Sequence, residues 1–272
     1  MADNDLRKAL VVVAAVAALG GGGALTQARQ HLPENLQHVL SSTPNATASS
    51  DAPAPAGAKS RVAHPNGRSG SALATLNTLP VKGKAPMTEY KNRREVLYGK
   101  AWTDDQNAPG GHNGCDTRND ILRRDLTNIV YKNRVHCAVA SGTLNDPYTG
   151  KVIHFVRGKN SSDAVQIEHA VATGNNWATG GQQLSQAQRV AFANDPLNLA
   201  AVDGPTNEKK RDKDASGYLP SNKKLRCAYV ATQIAVKAKY RLWVTPAEKA
   251  AMRQVLNTCP TQQLPTQPGG YN

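Results

Sequence analysis

The stretch QIEHAVATGNNW, residues 166–177, sets Glu168 beside His169 where a short apolar run ends. An imidazole with an ordinary pKa near 6.5 can take a proton from water at neutral pH. A neighbouring carboxylate is a hard oxygen ligand suited to a magnesium-type ion. Adjacent side chains on an extended strand point to opposite sides, so a bend is needed before both can serve one substrate. Downstream, Asn198 lies inside NDPLNLAAVDG and Asn207 inside PTNEKKRDKD, adding two amides at defined spacing. Lys209, Lys210, Arg211 and Lys213 surround or follow that second asparagine's segment. They form either a phosphate-neutralising patch at a helix or a solvated charged turn.

These residues need elements to hold them. DAVQIEHAVA reads as a short strand ending at the Glu-His pair, and LNLAAV, residues 197–202, as a second apolar strand. DGPT is a turn signal, and NEKKRDKD opens a helix or a basic loop. Between the strands, Ser185 caps a helix through QAQRVAFA to about Ala193, which NDP then breaks. Upstream, Thr117 is the expected N-cap of a helix in TRNDILRRDLTNIV, with Ile121, Leu122 and Leu126 at helical spacing. NDPYTG supplies a reversal, and KVIHFVRG a strand with Val152, His154 and Val156 on one face. Two amphipathic helices close the chain: KLRCAYVATQIAVKAKYRL, then TPAEKAAMRQVL with Thr245 at the N-cap, Pro246 first and Glu248 completing a capping box. Trp102 and Trp177 could stack on a base, but core packing is the assignment for both; His154 is assigned a structural role, and His112 and His136 are given no function.

The chain has 272 residues and a net charge of +13; from Lys82 onward, 27 basic and 16 acidic residues leave +11 on the folded part. A basic excess of this size points to an anionic partner. At the start, Arg7 and Lys8 precede an apolar run from Ala9 to Leu19, and Thr26-Gln27-Ala28 is a plausible cleavage site, so residues 1–28 read as a secretory signal. Residues 29–86, rich in Ala, Pro, Ser and Gly, read as a disordered tether; residues 87–264 as the folded domain; residues 265–272 as a flexible tail. Export makes the four cysteines disulfide candidates, paired Cys115–Cys137 and Cys227–Cys259 because each pair is near in sequence. The expected location is secreted or extracellular, or tethered at the cell surface if the N-terminal segment stays uncleaved. No stable membrane partner is expected after cleavage, and no sequence feature sets an oligomeric state.

The pattern CDTRNDILRRDL, then GTLNDPYTGKVIHFVRG, then IEH, then FANDPLNLAAVDGPTNEKKRDKD resembles the secreted HNH endonucleases of the ββα-metal superfamily, related to the C-terminal domain of GmrSD-type restriction nucleases. The resemblance covers about residues 88–259. It implies an α+β fold with a ββα-metal core, extra helices and a disulfide-stapled helical hairpin at the C-terminus. It implies His169 as the general base and Asn198 as the residue that fixes the histidine's loop. Glu168 and Asn207 would hold one divalent metal, Mg2+ or Mn2+, and the partner would be DNA, with RNA as an alternative. Arg118 and Arg157 are further candidates for phosphate contacts. The sequence departs from the family in carrying Glu168 where aspartate is usual, and HAVATG where HVVPL is more frequent. Two other readings stay open: a catalytically impaired nucleic-acid-binding module, and a basic envelope protein that binds anionic wall polymers.

Overall fold

The computed structural model describes residues 70–265 and residue 271. The expected signal and most of the expected tether lie outside them. The end of that tether does not: helix α1 (Ala72–Thr78) packs into the fold with Ala72 and Leu76 fully buried. Ser71 bridges Gln263, and Val81 pairs in parallel with Val244. Among the described residues the fold thus already includes α1, before the expected start at 87, because ALATLNT places one apolar stripe within a polar composition. Tyr271, in the expected tail, packs its ring on Tyr148 and Tyr229.

The architecture is α+β. Helix α2 (Arg94–Tyr98) precedes α3 (Thr117–Asp125), which leads into a three-stranded antiparallel sheet of β1 (Leu126–Tyr131), β2 (Val139–Asn145) and β3 (Val152–Val156). Asp116, not Thr117, caps α3, its carboxylate accepting from the Asn119 amide. The helix ends at Asp125 rather than continuing through LTNIV: Leu126 and Thr127 pair with Leu144 and Thr143 of β2, and this ladder overrides the local helical spacing. Along β3 Phe155 is buried while Val152, His154 and Val156 face solvent, as the alternation requires.

The second sheet is a two-stranded antiparallel pair, β4 (Val165–His169) and β5 (Leu199–Asp203), with Glu168 opposite Ala200 and His169 opposite Leu199. Helices α4 (Thr173–Ala178) and α5 (Gln186–Asn194) lie between these strands in sequence, and a capping box of Ser185 and Gln188 starts α5. Directly after β5 comes α6 (Gly204–Lys210), capped by Asp203. A Cβ on Gly204 would lie 1.8 Å from the Asp163 carbonyl oxygen, so only glycine lets the helix start against β4's lead-in.

LAAV is apolar throughout because β5 is buried on both faces. Ala200 and Val202 meet a core of α1, α7 (Arg226–Lys239) and α8 (Pro246–Leu256), built on Leu76, Tyr229, Ile234 and Met252. Leu199 and Ala201 meet a second core that includes Ile121, Leu122 and Phe155. Arg124 at the end of α3 ties the two together, donating to the Pro196 and Leu199 carbonyls, while Asp125 accepts from the Ala201 amide. Thr245 and Glu248 form the capping box of α8. Both disulfides, Cys115–Cys137 and Cys227–Cys259, are formed; the second joins α7 to the segment after α8.

Lys237 of α7 and Glu248 of α8 form an ion pair at 3.1 Å with neither side chain exposed. Removing one partner strands a buried charge, whereas removing both does not. Lys237→Met is expected to cost about 3–5 kcal/mol, with most of it recovered in Lys237→Met/Glu248→Gln, measured by urea unfolding.

Candidate active site

β4 sends alternate side chains to opposite sides. Gln166 and Glu168 face α6, where Gln166 accepts from the Asn207 amide at 2.9 Å and Glu168 pairs with the Lys210 ammonium at 2.7 Å. His169 lies on the other side, where it lines a cleft of about 270 Å3 together with Arg94, Asn207, Arg211 and Asp212. The bend that the sequence seemed to need is therefore absent: α6 reaches around the strand end instead, bringing Asn207 to the cleft of His169.

The imidazole is held on several sides. Its Nε2 contacts the Ala193 carbonyl oxygen at 2.9 Å. A carbonyl only accepts, so Nε2 carries the hydrogen and Nδ1 keeps a lone pair. The ring stacks on Trp102, with centroids 5.6 Å apart and planes 18° from parallel. Burial, then the charge of Arg94, pushes its pKa down to about 3, so it is neutral at pH 7. Asn198, 1 % exposed, accepts from the Val171 amide at 2.8 Å and donates back to the Val171 carbonyl, clamping the chain two residues beyond the histidine.

Glu168 is 1 % exposed. Burial pushes its carboxyl above the usual carboxylate range, against the opposing effect of Lys210. Apart from that ion pair neither of its oxygens accepts a hydrogen bond. On α6 the Asn207 amide donates to Gln166, leaving its Oδ1 as a second oxygen donor. Among the described residues no group of three His, Cys, Asp or Glu side chains could hold a metal ion. A carboxylate and an amide are donor types that a magnesium-type ion takes, but Glu168 is buried against α6 and does not line the cleft that Asn207 reaches. Lys210 competes for the same carboxylate.

The basic run divides by helical phase. Lys209, Arg211 and Lys213 are exposed. Lys210 is 1 % exposed and not a surface cation as its neighbours are: one turn after Asn207 it points at β4, where its ammonium also donates to the His169 carbonyl at 2.9 Å. Arg118 donates to the Ser162 and Val165 carbonyls, and Arg157 to the Val139 carbonyl and Asn119. These two guanidiniums brace the sheets, and both line a separate cavity of about 330 Å3. Sequence reading missed Arg94, whose Nε donates to Thr173 and which lines the cleft, and Asp212, whose carboxylate accepts from the Gly174 amide. No local pattern marked either one; both arrive through tertiary packing.

Two outcomes follow. Asn198→Ala leaves the Val171 amide and carbonyl buried without partners, and a loss of about 1–3 kcal/mol in stability is expected in chemical denaturation. The folded-state pKa of His169 lies below its ordinary value, so the unfolded chain binds a proton that the fold refuses. Its contribution is complete above pH 6.5 and is lost as pH falls from there toward 3. Nitrogen NMR at pH 5 should still show the neutral Nε2–H tautomer, and His169→Gln should flatten that part of the stability profile.

Comparison with known proteins adds to this geometry. Residues 116–255 match the family described as GmrSD restriction endonucleases, C-terminal domain. An uncharacterized secreted protein of Arthroderma benhamiae is 37% identical over 147 residues, covering 53% of this chain and 68% of the relative. No solved structure matches. The matched span takes in both sheets, α6 and the whole of the His169 clamp except its walls from α2 and Trp102. The chain belongs to the family of the C-terminal domain of GmrSD restriction endonucleases.

Proposed function

We propose that this protein is an exported, metal-dependent nuclease in which β4, β5 and α6 form a ββα-metal core of the HNH type. The observation that carries this reading is the placement of a neutral, oriented imidazole and Asn207 on one cleft flanked by Arg94 and Arg211. His169 Nδ1 takes the proton of the attacking water as its oxygen bonds to phosphorus and the bond to the leaving sugar oxygen breaks, that oxygen taking a proton from solvent. An entering phosphodiester would sit between the guanidiniums, and its charge would offset the part of the imidazole's depression that comes from Arg94 and Lys210, the larger part coming from burial. Asn198 holds the chain after the histidine, and Lys210 holds the strand end through the His169 carbonyl. Glu168 and Asn207 would hold a divalent ion, Mg2+ or Mn2+, which when bound supplies charge stabilisation to the phosphate oxygens.

The substrate is DNA, or RNA, read through its phosphates with weak sequence preference. Export is supported by the signal-like N-terminus, by four cysteines that are all paired and by a relative named as a secreted protein. One observation favours a second reading, a binding module without turnover: Lys210 already neutralises Glu168.

Purified protein should nick plasmid with Mg2+ or Mn2+, stop with chelator, and lose about 10²–10⁴-fold in rate with His169→Ala. Undiminished cutting by that variant would remove His169 from the role of base. Salt-sensitive DNA binding with no cutting under any divalent ion would select the binding module.

A further inference from the structure

A further cavity, about 370 Å3 in volume, shares His169 and Arg94 with the cleft. This is within the size range of small-ligand sites, roughly 300–1,000 Å3. Its walls come from α2, the loop Gly99–Trp102 and the end of α5. Residues 94–102 precede the span matched by the family.

Three features of the cavity point to one kind of ligand. The first is the indole of Trp102, which also stacks on His169. Trp102 has a φ of 59°, a left-handed conformation that a bulky residue adopts only when its surroundings impose it. The loop reaches that position through Gly99, at φ 73°, where an added Cβ would meet Val190 Cγ2 at 2.9 Å. The second is Asn194, 1 % exposed: its amide nitrogen donates to the Val190 carbonyl, while its Oδ1 accepts nothing. The third is charge, with Arg94 at the junction and the exposed Lys100 on the rim outnumbering the one carboxylate of the lining, Glu95. An aromatic wall, a buried acceptor lacking a donor and flanking cations together suit a planar ring with an N–H edge attached to a phosphate.

We propose that this cavity is a nucleobase subsite: it receives the base of a nucleotide adjoining the phosphate held at His169, against Trp102 and within reach of Asn194. The assignment of the neighbouring phosphate rests on the nuclease reading above. A base enters such a cavity only when it is out of a duplex stack, so the substrate class is single-stranded or locally melted nucleic acid. Trp102, assigned from sequence to core packing, is here both a positioning residue for the imidazole and part of the binding wall.

The test uses the full chain in chelator, with fluorescence anisotropy of labelled pentathymidylate and of a strand with the same phosphates at five abasic sites. Pentathymidylate should bind about tenfold or more tightly than the abasic strand. Ala101→Trp, which fills the cavity from an exposed rim position, should erase that difference while leaving the thermal midpoint unchanged. Asn194→Asp, which keeps the size and the acceptor, should retain the preference. Equal binding of the two strands by the unmodified chain, or a preference untouched by Ala101→Trp, overturns the subsite. A chain that keeps the base preference but cuts neither strand with Mg2+ or Mn2+ upholds the subsite and removes the nuclease reading. Cutting without base preference does the reverse.

Discussion

The Lys210 ammonium fastens α6 to the end of β4 by two contacts, one to the Glu168 carboxylate and one to the His169 carbonyl. Taking both charges out of water is costly, and the interaction is tolerable only because the ions meet directly and the ammonium finds a second acceptor. The helix start is fixed independently, by the Asp203 cap and by the close approach that Gly204 permits. With both ends of a seven-residue helix constrained, Asn207 has one place to go, beside Gln166 at the mouth of the cleft. Glu168 and His169 consequently face opposite ways: the carboxylate turns inward to the helix, and the imidazole toward the cleft.

The imidazole depends on segments far apart in the chain. Ala193 sets the tautomer, Trp102 sets the plane, Asn198 fixes the following backbone, and Arg94 with Lys210 sets the local potential. None of these makes the histidine reactive alone. Together they give a neutral ring with a defined proton and a defined lone pair, which general-base chemistry needs before any pKa is tuned. Two of the contributors, Arg94 and Trp102, come from outside the matched family span.

The scaffold behind the site is stiff for a simple reason. β5 is covered on both faces, by α7 and α8 on one side and by α3 with the three-stranded sheet on the other. A strand packed on both faces cannot slip by one residue without exchanging its two cores. Arg124 and Asp125 add hydrogen bonds to its backbone from the end of α3. The register that sets His169 opposite Leu199 is thereby determined from both sides.

Much of this was legible in the residues themselves. VQIEH and LAAV announced strands, Ser185 and Thr245 announced capped helices, and the nearness of each cysteine pair gave both disulfides, because these signals act over a few residues or one short loop. The Glu-His-Asn-Asn spacing marked residues that the fold gathers around β4, β5 and α6. What tertiary structure decided was direction and partnership. It chose which cation in EKKRDK turns inward, since helical phase relative to β4 places Lys210 there. It ended α3 at Asp125, since β2 supplied a ladder for Leu126. It drew ALATLNT out of an apparent tether, since a core waited for Leu76. It brought Arg94 and Trp102 to a histidine some seventy residues away. Spacing along a chain records local backbone preference, whereas the environment of a side chain is set by whatever the rest of the fold packs against it.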